Sequence, residues 1–246
     1  MGRLSWRLAE VAETITETPR AKTLGLDGHG WGGHLPGQHV DVRLTAEDGY
    51  QAQRSYSIAS APAGERIELT VELLDDGEVS PYLTEELREG DQLELRGPIG
   101  GYFTWDASRG DPLLLIAGGS GIVPLMAMIR FRVEVGSTIP TRLLYSSRSL
   151  DDIFYREELD IRSANDPSLE VYHTLTRENP DGWPGFHRRI DAAMLEEIAW
   201  PPGDVPLTFI CGPTRLVESV ASALVGIGHD PARVKTERFG PTGGAS

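Results

Sequence analysis

Leu113-Leu114-Leu115-Ile116-Ala117-Gly118-Gly119-Ser120-Gly121-Ile122-Val123-Pro124 is the stretch on which the reading of the chain turns. Five apolar residues in succession make a strand with no polar face, as in a parallel sheet covered on both sides. Three glycines in four positions follow, and an apolar helical pattern starts behind them. A glycine-rich turn from such a strand into a helix lets backbone N–H groups come close to phosphate oxygens at the positive end of the helix dipole. Gly119 and Gly121 are the candidate phosphate contacts. Pro124 stands where the dinucleotide fingerprint has its last glycine, and an ordinary strand-to-helix turn is the alternative reading.

Downstream the pattern alternates: a helix over 122–134, then a strand at 142–146, a helix at 151–159, a strand at 169–175, a helix at 190–198, a strand at 206–210, a helix at 214–225 and a strand at 233–238. This order predicts a doubly wound parallel sheet, whose ligands lie beyond the carboxyl ends of the strands. Ser147 and Arg148 end one strand, Cys211, Gly212 and Pro213 another, and Glu237 and Phe239 the last. A carboxylate at the ribose position suits NAD, whereas an arginine accommodates the 2′-phosphate of NADP, so Ser147 and Arg148 favour NADPH, with NADH possible. The plainer readings are a solvated Arg148 beside helix-capping Asp151 and Asp152, and a Cys211 that is only a core thiol.

Upstream, short segments at 4–16, 21–26, 39–44, 53–58, 66–74 and 91–95 read as strands separated by turns, which predicts a small antiparallel barrel. The turns include the glycine-rich loop 28–33 and Pro36-Gly37. A short helix over 80–87 interrupts the strands, with Ser80 at its N-cap and Pro81 at N1. The polar stretch 106–112 separates the two textures, giving a barrel domain over 1–106 and an α/β domain over 107–246. Three elements of the barrel half carry chemistry. Arg54-Ser55-Tyr56-Ser57 alternates Arg54 and Tyr56 with Ser55 and Ser57 across a strand. Gly77-Glu78-Val79-Ser80 runs into a helix start suited to a pyrophosphate, and Gly97-Pro98-Ile99-Gly100-Gly101-Tyr102-Phe103 could let backbone approach a planar ligand. Taken singly, they also read as an ordinary strand, a capped helix and a turn.

Composition narrows the field. With 246 residues, 39% of them hydrophobic, the chain can bury two modest cores. One cysteine excludes an intramolecular disulfide and a four-cysteine iron–sulfur cluster, and no metal site is expected. A net charge of -14 argues against nucleic acid or an anionic membrane as partner. With no bilayer-length apolar run and a charged N-terminus, the cytoplasm is the expected location.

In this order the motifs resemble those of the ferredoxin-NADP reductase-like flavoproteins, among them the FAD-dependent NAD(P)H reductase components of bacterial oxygenases. The resemblance implies an FAD-binding barrel followed by a nicotinamide-nucleotide domain. In it Arg54 would neutralise the flavin pyrophosphate, Tyr56 would pack on the isoalloxazine and Ser57 would hydrogen-bond near the flavin N5. Gly77, Val79 and Ser80 would hold the pyrophosphate, and Ser55 and Val71 are counted with the flavin-binding set. Gly119 and Gly121 would receive the phosphates of the nicotinamide cofactor, Ser147 and Arg148 the 2′-phosphate. Cys211 and Glu237 would border the nicotinamide, so that Ser57, Cys211 and Glu237 are the expected catalytic group, with Gly212, Pro213 and Phe239 beside the cofactors. The implied activity is hydride transfer from NADPH to FAD and delivery of single electrons to a ferredoxin or oxygenase component, expected on a separate chain for want of cysteines here. FMN in place of FAD, a ferric-siderophore or free-flavin reductase, and a non-catalytic flavin-bearing subunit are the alternatives. The sequence leaves the oligomeric state open, as it does whether Phe239 or the tail 240–246 covers the flavin.

Overall fold

The computed structural model describes residues 4–28, 31–62 and 66–239; His29 and Gly30 of the glycine-rich loop and the tail 240–246 lie outside the described residues. Contacts divide the chain into two units: one comprises the chain up to Asp106 together with Met126–Glu134, and the other Ala107–Leu125 and the chain from Val135 on.

The first unit is an antiparallel sheet of β1 (Arg7–Thr18), β2 (Ala21–Asp27), β3 (His39–Thr45), β4 (Gln51–Ser57), β5 (Arg66–Glu72) and β6 (Gln92–Ile99), in the order β4-β3-β6-β1-β2-β5. The outer strands meet, because Ile58 bridges Leu69 and Ala59 N donates to Glu68 O at 2.7 Å, so the sheet closes on itself. β1 makes the bend possible: residues 7–10 pair with β6 and residues 10–18 with β2, with irregularities at Val11/Glu13 and Thr16/Thr18. Inward-facing Leu24, Val40, Ile58, Leu69 and Leu95 fill the interior.

The helix expected over 80–87 is instead centred on a single π turn, Tyr82–Glu86, and Ser80 caps nothing. Burial decides this: Leu83 and Leu87 must both reach the barrel core, and Ser80 turns its hydroxyl back to accept from Leu74 N at 3.1 Å.

In the second unit β7 (Leu113–Gly118), β8 (Thr141–Ser147), β9 (Leu169–Leu175), β10 (Leu207–Pro213) and β11 (Val234–Phe239) form a parallel sheet in the order β11-β10-β7-β8-β9. Every residue of β7 is buried, as its unbroken apolar run requires. Helices α1 (Ile122–Glu134), α2 (Arg156–Asn165), α3 (Ala192–Ile198) and α4 (Thr214–Gly226) connect the strands. The helix expected at 151–159 begins five residues later. Ser149 and Asp152 form a capping box on a short 3-10 turn, and Ile153, Phe154 and Tyr155 are then drawn into the interior, with Tyr155 left-handed at φ 55°. Helix α1 matches its expected span, and its second half groups with the barrel, where Arg130 donates to Ala59 O at 3.0 Å and to Glu68 at 2.5 Å.

The chain reverses its direction of sheet growth between β7 and β10, the topological switch point at which open parallel sheets bind ligands. Here the main chains nearly touch: a Cβ on Gly121 would lie 2.1 Å from the carbonyl oxygen of Cys211. Gly119 has φ +54° and open space around it. Gly121→Ala is therefore expected to destabilise by about 3 kcal/mol or more, and Gly119→Ala by about 1–2 kcal/mol from backbone strain alone, an order that thermal melts of the two variants would check.

His173 on β9 packs against Tyr145 and Trp183 with both ring nitrogens buried and unpartnered, and burial pushes its pKa down to about 4. Above pH 6.5 neither state binds the proton. As pH falls from 6.5 towards 4 the unfolded chain takes it up and the folded chain does not, so stability is lost across that window. Relative to His173→Phe, the wild type should lose about 2.5 kcal/mol between pH 7 and pH 4.5, measured by urea unfolding of both proteins.

Candidate cofactor-binding site

In the barrel unit, alternation along β4 puts Ala52, Arg54, Tyr56 and Ile58 in one row. Ala52 and Ile58 belong to the core, Tyr56 packs partly against it, and Arg54 emerges into solvent. Burial pushes the Tyr56 hydroxyl up to about 12 against the opposing charge of Arg54, so the ring presents a neutral phenol. Arg54 donates to Glu78 Oε2 at 2.6 Å and to Gln53 O at 2.7 Å. Its partner lies in the Gly77-Glu78-Val79-Ser80 loop, so two motifs more than twenty residues apart meet at one ion pair.

That loop is tightly made. Gly77 N donates to Leu74 O at 2.9 Å, and a Cβ on Gly77 would come within 2.7 Å of Ser80 Oγ. Val79 is fully buried, as is Val71 on β5, so neither offers a side-chain surface to a ligand. Ser55 faces away from the Arg54 row and donates to Asp41 Oδ1 at 2.6 Å, with Arg96 on the other carboxylate oxygen at 2.7 Å. Burial alone would raise the Asp41 pKa, but these two partners hold it below the ordinary value. Ser55 thus joins β3, β4 and β6 structurally. Ser57 ends β4 opposite His39, which also pairs with Ile99, so the third motif comes up beside Ser57. Within that motif Gly97 is held against Val40, where a Cβ would meet Cγ1 at 2.8 Å, and Gly100 takes φ +104° beside the His39 ring.

In the α/β unit the loop after β7 and the end of β10 face each other across the switch point. Cys211 is buried; burial first, then the charge of Glu237, pushes its thiol well above the ordinary value, so it remains a neutral thiol. Cys211 is in register with Glu237, Gly212 with Arg238 and Pro213 with Phe239, which is 36% exposed at the end of β11. Ser147 is buried with its hydroxyl unpartnered, whereas Arg148 is exposed.

Thr176 and Arg177 were not among the residues expected from sequence. Thr176 N donates to Ser147 O at 3.0 Å and Arg177 N to Arg148 O at 2.9 Å, which sets a second exposed arginine beside the first. A readable signal existed, since a hydroxyl residue followed by arginine stands where β8 and β9 run out, Ser147-Arg148 and Thr176-Arg177. Tyr50 and Glu78, also outside the expected set, are joined by a hydrogen bond from the Tyr50 hydroxyl to Glu78 Oε1 at 2.7 Å. Among the described residues no cluster of His, Cys, Asp and Glu could hold a metal ion, and no helix is long and apolar enough to cross a membrane.

Residues 11–104 match the model of the oxidoreductase FAD-binding domain, and residues 115–222 that of the oxidoreductase NAD-binding domain. The chain is 33% identical over 209 residues to the glycine betaine monooxygenase reductase subunit of Pseudomonas aeruginosa, covering 84% of this chain and 56% of that protein. It thus spans little more than half the length of that relative. The chain is 35% identical over 209 residues to ferredoxin–NADP reductase B of Sorangium cellulosum, covering 82% of this chain and 84% of the other. Among solved structures, the FAD/NAD-binding domain of nitric oxide dioxygenase from Vibrio cholerae superposes with a TM-score of 0.85 at 26% identity, covering 96% of this chain and 99% of that one. With both domain models matched in the expected order, the chain belongs to the ferredoxin-NADP reductase-like family of FAD- and NAD-binding oxidoreductases.

Proposed function

We propose that the chain takes a hydride from NADPH onto FAD and passes electrons singly to a ferredoxin or oxygenase component on a separate chain, with residues 1–106 holding the flavin and 107–246 the nicotinamide nucleotide. The observation that carries this reading is the meeting of Arg54 with the 77–80 loop beside Tyr56, a cation, a tight glycine turn and a neutral aromatic face on one wall of the barrel. The flavin supplies the exchange between two-electron and one-electron chemistry.

The residues fit that group. Gly77 keeps the loop closed, since a side chain there would collide with Ser80, and it leaves Arg54 exposed to neutralise a pyrophosphate. Tyr56 offers an uncharged surface for a planar ring. Ser57, next to Tyr56 and across His39 from the 97–100 turn, is the hydroxyl that would hydrogen-bond to the ring. In the α/β unit, the open main chain at Gly119 suits phosphate approach. Gly121 has a different reason to be glycine, its contact with Cys211. The buried neutral thiol of Cys211 supplies shape beside a nicotinamide rather than a base or nucleophile. With the Ser147 hydroxyl turned inward, Arg148 and Arg177 are the pair that would take a 2′-phosphate.

Removing a hydrogen bond to a charged group costs about 1.5–3 kcal/mol, so Arg148→Ala and Arg177→Ala should each weaken NADPH binding by about tenfold to a hundredfold and leave NADH within twofold. Equal losses with both cofactors in equilibrium titrations would remove the two arginines from the site. The activity itself is tested by the visible spectrum of the flavin-loaded protein under anaerobic conditions. Stoichiometric NADPH should bleach the flavin bands, and bands that persist with both NADPH and NADH would overturn the reading.

A further inference from the structure

Tyr50 is 57% exposed, yet it is fixed at both ends. Its main chain closes the β3–β4 hairpin, with Ala46 N donating to Tyr50 O at 2.9 Å and Tyr50 N donating to Asp48 Oδ1 at 2.9 Å. Its phenol donates to Glu78 Oε1 at 2.7 Å, while the other oxygen of that carboxylate accepts from Arg54 at 2.6 Å. The Arg54 and Glu78 side chains are 53% and 48% exposed. An exposed ion pair adds little, and an exposed ring buries little apolar area, so stability gives no good reason to immobilise this tyrosine. What the arrangement does supply is a flat apolar surface, pre-organised beside a cation.

Its position along the strand gives that surface a direction. Tyr50 directly precedes β4 and continues the spacing of Ala52, Arg54 and Tyr56, and its hydroxyl reaches the same carboxylate as Arg54, which puts it on the Arg54 side of the strand. Successive members of such a row are roughly 7 Å apart. In order they present an aromatic face at Tyr56, a cation one step away, and a second aromatic face two steps beyond it. A flavin dinucleotide has the same order of parts: isoalloxazine, pyrophosphate, adenine.

Resting on the flavin reading above, we infer that Tyr50, locked in place by Glu78, is the platform for the adenosine half of the cofactor and makes the site select FAD over FMN. FMN ends at its single phosphate and has no group to lay on Tyr50. The ring needs no induced ordering when the purine arrives, so stacking is realised with little entropic loss. The Glu78 carboxylate is oriented by the phenol on one oxygen and by Arg54 on the other.

The test is titration of the flavin-stripped full-length protein with FAD and, separately, with FMN, followed by flavin fluorescence. Purine stacking on an aromatic side chain is worth roughly tenfold or more in affinity, so the wild type should bind FAD at least about tenfold more tightly than FMN. Tyr50→Ser should weaken FAD about tenfold and FMN less than about twofold. Tyr50→Phe keeps the ring, guards against a folding defect, and should retain most of the preference for FAD. If Tyr50→Ser shifts both flavins equally or neither, or if the wild type binds FMN as tightly as FAD, the platform is overturned while the flavin reading stands. Failure of the wild type to bind either flavin would overturn both.

Discussion

Where β7 and β10 run side by side, two glycine-bearing turns pack main chain against main chain, with Gly121 over the carbonyl of Cys211 and Gly212 against Gly118. The arrangement of the α/β unit follows from this approach. It holds the start of α1 directly above the end of β10, which leaves the Gly119 turn projecting into open space at the switch point. It also encloses the Cys211 thiol, which therefore stays protonated and inert. A side chain at either glycine would part the turns and move the glycine-rich loop after β7.

The barrel unit reaches the same end by different means. Its binding wall is held by polar cross-braces rather than by close backbone packing. Ser80 ties the 77–80 loop to Leu74, Ser55 and Arg96 share Asp41 across three strands, and Glu78 joins Arg54 to Tyr50. Each hydroxyl here has a structural partner, which is why serines that look like ligand contacts in the motif are engaged with the protein itself. In a chain of net charge -14, Arg54, Arg148 and Arg177 are each exposed, the last two side by side at the ends of neighbouring strands. That local placement, rather than the overall charge, is what matters for an anionic ligand.

Much of this was legible in the chain. Alternation over 39–44 and 53–58, and the unbroken apolar run at 113–117, identify strands of two kinds, one half-buried and one covered on both faces. The span of α1 came out as expected because its apolar pattern runs from the glycine turn to Glu134 without interruption. The misses share a cause. Ser149, Asp151 and Asp152 look like a helix start, but Phe154 and Tyr155 have more to gain by entering the core, so α2 waits until Arg156. Ser80 looks like an N-cap, but the demand to bury Leu83 and Leu87 reshapes the turn that it would have capped.

Sequence alone determined the order of the two units, the antiparallel and parallel character of their sheets, and the family, because these rest on periodicity and on short motifs that act locally. Which glycine faces open space and which faces a carbonyl, which serine hydroxyl is spent on its own loop, and that Arg177 stands beside Arg148 were decided only by the tertiary structure. Those properties depend on segments far apart in the chain being brought within hydrogen-bond distance. A residue's own type and immediate neighbours carry no record of what will pack against it.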